Sequence, residues 1–220
     1  MATATQTVSI DAGGITLTGD LVLPDAARGI VCFAHGSGSS RHSPRNREVA
    51  EVLQRAGLAT LLMDLLGEDE ARVDRVTAEL RFDIPLLGRR VTAAVDRLGE
   101  RADTAALPLG LFGASTGAAA ALVAAAERAD RVRAVVSRGG RPDLAGDALP
   151  AVRAPVLLIV GGEDRQVLGM NEQAATELTA EHRVLVIPGA THLFEEPGTL
   201  EAAADAARDW FLGMCADGGA

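Results

Sequence analysis

Gly113-Ala114-Ser115-Thr116-Gly117 sets one serine between two glycines in G-x-S-x-G spacing. That spacing suits a sharp strand-to-helix turn that lifts a serine out of a sheet as a nucleophile. The setting agrees: Leu107, Leu109, Leu111 and Phe112 form a short apolar run before it, and an alanine-rich helical run, Ala118 to Arg128, follows. The plainer alternative is a glycine-rich turn with a small capping serine. A serine hydroxyl is a weak nucleophile alone. It needs a base to take its proton and donors to hold the developing oxyanion.

Four histidines could supply the base. His35 ends an apolar run and opens a glycine loop, where it is expected to hold that loop by hydrogen bonds. His42 lies among Ser39, Ser40, Arg41 and Ser43 in a polar loop. His182 precedes a strand and reads as a surface residue. His192, in Gly189-Ala190-Thr191-His192-Leu193-Phe194, follows the last strand and can hang over the serine. His192 is therefore the preferred base, with His42 second.

The acid is expected between nucleophile and base. Asp164 follows a strand within Gly161-Gly162-Glu163-Asp164, where the glycines let a carboxylate turn back under an imidazole. It would fix the tautomer and stabilise the imidazolium without taking the proton itself. Asp143 and Glu163 are the alternative acids, and a turn or N-cap aspartate is the plain reading of Asp164. For the oxyanion, the expected donors are the Thr116 backbone N–H and one from His35-Gly36-Ser37-Gly38. Ser37 is preferred there, with Gly36 or Gly38 as alternatives.

These parts need a scaffold. Periodicity gives two antiparallel strands, Val8 to Ile10 and Ile15 to Leu23, turning at Gly13-Gly14. Further strands are read at Gly29 to Ala34, Ala59 to Asp64, Leu107 to Phe112, Val132 to Ser137, Pro155 to Val160 and Arg183 to Ile187. Helices are read at Arg45 to Ala56, Val167 to Thr179 and Leu200 to Met214, with Ala71 to Glu100 largely helical and broken near Pro85. Alternating strands and helices define an α/β class: a mostly parallel central sheet with an N-terminal antiparallel edge and helices on both faces. Ligands of such sheets bind at the carboxyl ends of the strands. The loops after those ends are the ones that carry the candidate residues.

Composition bounds the rest. At 220 residues the chain is expected to form one domain (1–220), with 216–220 a frayed tail. A net charge of −9 argues against nucleic acid or an anionic membrane as partner. Met1 to Thr7 lacks a basic region followed by an apolar core, so no signal peptide is expected. Cys32 and Cys215 are the only cysteines, which points away from a disulfide framework and toward a cytoplasmic location. No Cys/His cluster has zinc spacing, and neither a metal nor a cofactor is expected. The chain has no tyrosine, and all 21 of its Lys+Arg residues are arginine. A Schiff-base lysine and a catalytic tyrosine are thereby excluded.

Taken together, the HGSG loop at His35, GASTG at Ser115, GGED at Asp164 and GATH at His192 resemble the α/β-hydrolase fold, in its dienelactone-hydrolase-like branch, from about Val8 to Leu212. The resemblance implies carboxylic-ester hydrolysis through an acyl-enzyme, with Ser115 as nucleophile, Asp164 as acid and His192 as base. Dienelactone hydrolase itself uses a cysteine nucleophile, so the serine leaves lactone specificity open. Lactone, thioester or amide hydrolysis, or acyl transfer, could use the same triad. A catalytically silent binding protein of this fold is the alternative of another class.

The short stretch from Ser115 to Asp164 leaves no room for a large cap domain, which predicts an open site for small esters. Arg138 and Arg141 follow a strand whose end should face that site, and Arg41 and Arg45 lie in the loop after His35. Arginine suits carboxylate or phosphate recognition; the plain alternative is pairing with Asp143, Glu163 or Glu195. Phe194 and Leu193 could form a pocket wall or anchor the histidine loop. The natural ester and the oligomeric state are not encoded in any motif found here.

Overall fold

The structure is a computed structural model in which residues 4–216 are described. The expected frayed tail lies outside those residues except for Ala216, the last residue of the final helix. Eight strands form one sheet: β1 (Thr5–Asp11), β2 (Thr16–Val22), β3 (Gly29–Ala34), β4 (Leu58–Met63), β5 (Leu109–Ala114), β6 (Val132–Arg138), β7 (Val156–Gly161) and β8 (His182–Ile187). Their spatial order is β1-β2-β4-β3-β5-β6-β7-β8. β1 pairs antiparallel with β2, and β2 antiparallel with β4. From β4 through β8 the pairing is parallel.

The sequence pattern explains the division. β1 alternates exposed and buried residues along Val8-Ser9-Ile10, as an antiparallel strand with one wet face does. β3, β4, β5 and β7 are buried at every residue, the signature of parallel strands covered on both faces. The covering helices are α1 (Pro44–Arg55), α2 (Glu68–Thr77), α3 (Ile84–Glu100), α4 (Thr116–Glu127), α5 (Arg165–Ala175) and α6 (Thr199–Ala216). α1 and α6 pack their apolar stripes on one face of the sheet, through Val49, Leu53, Ala203, Ala207 and Phe211. α3, α4 and α5 cover the other through Val91, Val95, Leu122, Ala125 and Ala174. Each fully buried leucine, valine or phenylalanine contributes about 1.5–3 kcal/mol of apolar transfer. No described helix is long and apolar enough to cross a membrane.

Two sequence expectations shift. The break in Ala71–Glu100 falls earlier than Pro85. α2 ends at Ala78, which adopts a left-handed φ of 58°, and a 3₁₀ turn at Leu80–Phe82 follows. Pro85 sits in the first turn of α3, whose N-cap Asp83 accepts from the Leu86 N–H at 2.9 Å. A proline in a first turn removes a donor that has no helical acceptor, so it starts the helix instead of breaking it. The connection from β6 to β7 also holds a 3₁₀ segment, Pro142–Ala151, beyond the brief loop expected. Glycine and proline inside it suppress any helical periodicity in the sequence. Its Leu149 is buried in the core. Among the described residues it is the whole of what stands where a cap domain would enter.

The strand order runs from β3 to β4 on one side and to β5 on the other. This reversal opens a crevice at the carboxyl ends of β3 and β5. Phe211, fully buried, lies over Gly110 of β5 and anchors α6 beneath that crevice. Phe211→Ala is expected to cost about 3–5 kcal/mol. The check is a urea titration, where the midpoint should fall without a change in slope.

Candidate active site

Ser115 stands at the crevice between the end of β5 and the first turn of α4. It is not glycine, yet it holds φ 51° and ψ −123°. Such a conformation costs of order 1–3 kcal/mol and persists only where the surroundings enforce it. Here the Ser115 N–H donates to the Arg138 carbonyl at 3.3 Å, and its own carbonyl accepts from the N–H groups of Ala118 and Arg141, both at 3.1 Å. Gly117 makes the turn possible, since a Cβ there would drive into the carbonyl oxygens of Ala34 and His35. Gly36 approaches from the other side; a Cβ on it would lie 3.1 Å from that of Ser115. The loop Gly36-Ser37-Gly38 thus comes up against the serine. Thr116 begins α4, where a backbone N–H has no acceptor inside the helix.

Of the four histidines, only His192 lines the same cavity as Ser115, a space of about 260 Å³. His192 Nδ1 lies 2.7 Å from Asp164 Oδ2, with the histidine side chain 40% and the aspartate 15% exposed. Asp164 does occupy the N-cap position of α5, but its side chain makes no capping hydrogen bond. Its carboxylate is directed to the imidazole. The other acids are elsewhere: Asp143 accepts from both Arg141 Nε and Arg141 Nη2, at 2.9 and 2.7 Å, and Glu163 is exposed. Among the described residues neither bonds to His192; Asp164 alone meets it.

His35 is structural, as its sequence context suggests. The Leu65 N–H donates to His35 Nε2 at 3.1 Å, so His35 Nδ1 carries the proton and donates to the Gly36 carbonyl at 2.9 Å. Burial holds its pKa below the ordinary value, against smaller opposing effects of the Gly36 carbonyl and Asp64. His42 meets Arg47 Nη2 at 2.6 Å, and faces a larger cavity of about 690 Å³. That cavity adjoins the Ser115 cavity, sharing Gly36, Ser37, Ser39 and Ser43 with it, and reaches Thr116. Its far wall, with Asp64, Asp74 and Arg81, is absent from the sequence reading, because α2 shows no motif.

The arginines separate. Arg141 is held by Asp143 and does not line the Ser115 cavity. Arg41 is engaged by Asp64 and Asp20. Arg45 lines the cavity and meets only the exposed Glu195, at 3.4 Å. Arg138 also lines it, is 7% exposed, and stacks between Phe112 and Phe194 with its guanidinium carbon 5.9 and 5.7 Å from their centroids. Burial first, and then the Arg45 charge, bring its pKa down to about 10. Phe194 itself is 2% exposed and supports Arg138 from beneath. Of the two residues expected at the pocket wall or anchoring the histidine loop, Leu193 lines the Ser115 cavity and Phe194 is buried behind it. Arg141 takes the alternative arrangement, with its fork on Asp143.

A parallel sheet with antiparallel N-terminal strands, a strained serine after its fifth strand and an Asp–His pair on later loops define an α/β-hydrolase fold. The chain belongs to the dienelactone hydrolase family, whose model matches residues 17–215. The crystal structure of a dienelactone hydrolase from Anabaena variabilis ATCC 29413 is 58% identical. It superposes with a TM-score of 0.95 over 97% of this chain and 99% of that one. Est1E from Butyrivibrio proteoclasticus shares the fold at 19% identity, with a TM-score of 0.79 over 96% of this chain and 99% of its own. Two Mycobacterium tuberculosis proteins provisionally named phosphoribosyl transferases are 56% identical over 214 residues, which is 97% of this chain. The chain spans 47% of their length, about half of the curated relatives it matches. Family and fold are thus those of the dienelactone hydrolases.

His35 also sets a dependence on pH. Its folded-state pKa lies below the unfolded value of about 6.5, so below that pH the unfolded chain binds a proton that the folded chain resists. Stability contributed by neutral His35 is complete above about pH 6.5 and falls as pH drops toward the folded pKa. Denaturant midpoints between about pH 7 and 5.5 should decline in the wild type and decline less in His35→Gln.

Proposed function

We propose that the protein is a cofactor-independent serine esterase that cleaves carboxylic esters of small molecules through an acyl-enzyme on Ser115. The observation that carries this reading is the 2.7 Å contact of His192 Nδ1 with an Asp164 that forgoes its helix cap, with His192 lining the same cavity as Ser115. With Asp164 accepting from Nδ1–H, the imidazole presents Nε2 as a free base. Ser115 Oγ attacks the ester carbonyl and passes its proton to Nε2. The oxyanion is received by the Thr116 N–H and the Ser37 N–H, whose loop is brought in by Gly36. Gly36 and Gly38 are the alternative donors on that loop. Loss of one such donor typically costs about 3–4 kcal/mol at the transition state. Collapse expels the alcohol with the proton from His192. Water, deprotonated by the same nitrogen, then frees the acid.

The open cavity and the absence of a cap among the described residues favour small esters over long acyl chains. The net charge of −9 favours a small-molecule partner over nucleic acid or an anionic membrane.

A fluorophosphonate should label the wild type covalently and fail to label Ser115→Ala, with intact-mass spectrometry as the readout. An unlabelled, folded wild type would sink the nucleophile reading in favour of a silent binding protein. Asp164→Asn should keep its fold and lose about 10³–10⁴ in kcat on a nitrophenyl ester, followed in a steady-state assay. A panel of esters, lactones, thioesters and amides would then rank the leaving groups.

A further inference from the structure

The cavity beside Ser115 has more positive charge than its surroundings compensate. Arg138 is 7% exposed and makes a single side-chain hydrogen bond, Nη2 to Asn46 Oδ1 at 3.3 Å. Its Nε and Nη1 are buried with no partner. No carboxylate forms an ion pair with it among the described residues. A buried guanidinium with two unmade hydrogen bonds is costly unless a ligand completes it. Arg45, which lines the same cavity, lowers its pKa further, and Glu48 opposes with a smaller effect. Two like charges are thus held against one small space, in a protein whose net charge is −9.

Both arginines converge on the start of α1. Ser43 is its N-cap and accepts from the Asn46 N–H at 3.4 Å, while Arg45 and Asn46 belong to its first turn. The helix runs for 12 residues, so its start presents unsatisfied backbone N–H groups and the positive end of a macrodipole. Several residues that line the space carry donors: Arg138 and Arg45, the second of which also meets the exposed Glu195 at 3.4 Å, together with Ser39 and Ser43. A planar carboxylate needs one fork. Donors around a space, with two cations, match a tetrahedral dianion.

We propose that this cavity is a phosphoryl subsite, and that the ester cleaved at Ser115 is carried by a small phosphorylated molecule. The subsite stands on Arg138, Arg45 and the start of α1; its role in turnover rests on Ser115 being the nucleophile. No bond to phosphorus is made or broken. Water adds across the carboxylic ester, and the phosphoryl group only anchors the substrate.

Inorganic phosphate is the probe. Calorimetry on Ser115→Ala should show saturable binding, and phosphate should slow fluorophosphonate labelling of the wild type. Arg45→Gln should weaken phosphate about tenfold, and Arg138→Met should weaken it at least as much. If Arg138→Met fails to fold, Arg138→Lys keeps the charge without the fork, and should still lose affinity. Absence of saturable binding to both wild type and Ser115→Ala overturns the proposal. So does binding that neither arginine variant alters, or succinate binding as tightly as phosphate, which would mark a carboxylate site. Phosphate binding without any fluorophosphonate reaction would remove the esterase reading and leave the anion site standing.

Discussion

The site depends on how closely α4 can approach the end of β3. The first turn of the helix is pressed against the carbonyls of Ala34 and His35, a distance only Gly117 tolerates. That contact keeps Ser115 at its positive φ and brings the loop after β3 alongside the loop after β5. The two loops belong to strands that are direct neighbours in the sheet, paired from Ile30–Leu109 to Ala34–Gly113. Register therefore sets the height of the serine relative to Gly36 and Ser37. A side chain at position 117 would have to separate a strand from a helix that is buried along most of its length.

Around this junction the polar groups fall into two kinds. Several of those away from the cavity are fully satisfied. Asp74 accepts from Arg81 Nε and from two backbone N–H groups, Asp96 accepts from Arg128 Nε and Nη2, and His35 makes both of its ring contacts. Arg138, which lines the cavity, is not: it keeps two bare nitrogens. Buried polar groups in folded proteins nearly always find partners. A guanidinium left unfilled beside Ser115 marks a place where the chain is shaped for something other than its own stability.

Much of this could be read from the sequence because the informative signals were local. Gly-x-Ser-x-Gly, the glycine loop after His35 and the loops at Asp164 and His192 each sit directly after an apolar strand, and strands buried on both faces are conspicuous as runs such as Val156–Val160. Helix ends were less legible. Ala78 takes a left-handed conformation that an alanine does not advertise, so the division of α2 from α3 was displaced to the nearest proline. The fates of the arginines were the least legible. Arg141 lies three residues beyond Arg138, the last residue of β6, yet it is filled by a carboxylate two positions along while Arg138 is enclosed by Phe112 and Phe194. Only tertiary packing separates them. Asn46 and the larger cavity bounded by α2 belong to the same class, being assembled from segments with no pattern of their own.

The position of Asp164 carries a further consequence. A carboxylate at a helix N-cap is ordinarily worth about 1 kcal/mol to that helix, and here it is turned away to meet an imidazole. The opening turn of α5 is left with donors that its own cap residue does not satisfy, at the margin of the cavity. Local opening of the protein should begin there, at a helix whose start was surrendered to the histidine. Any sequence that repaired the cap would gain rigidity at the one point where the side chain is needed elsewhere.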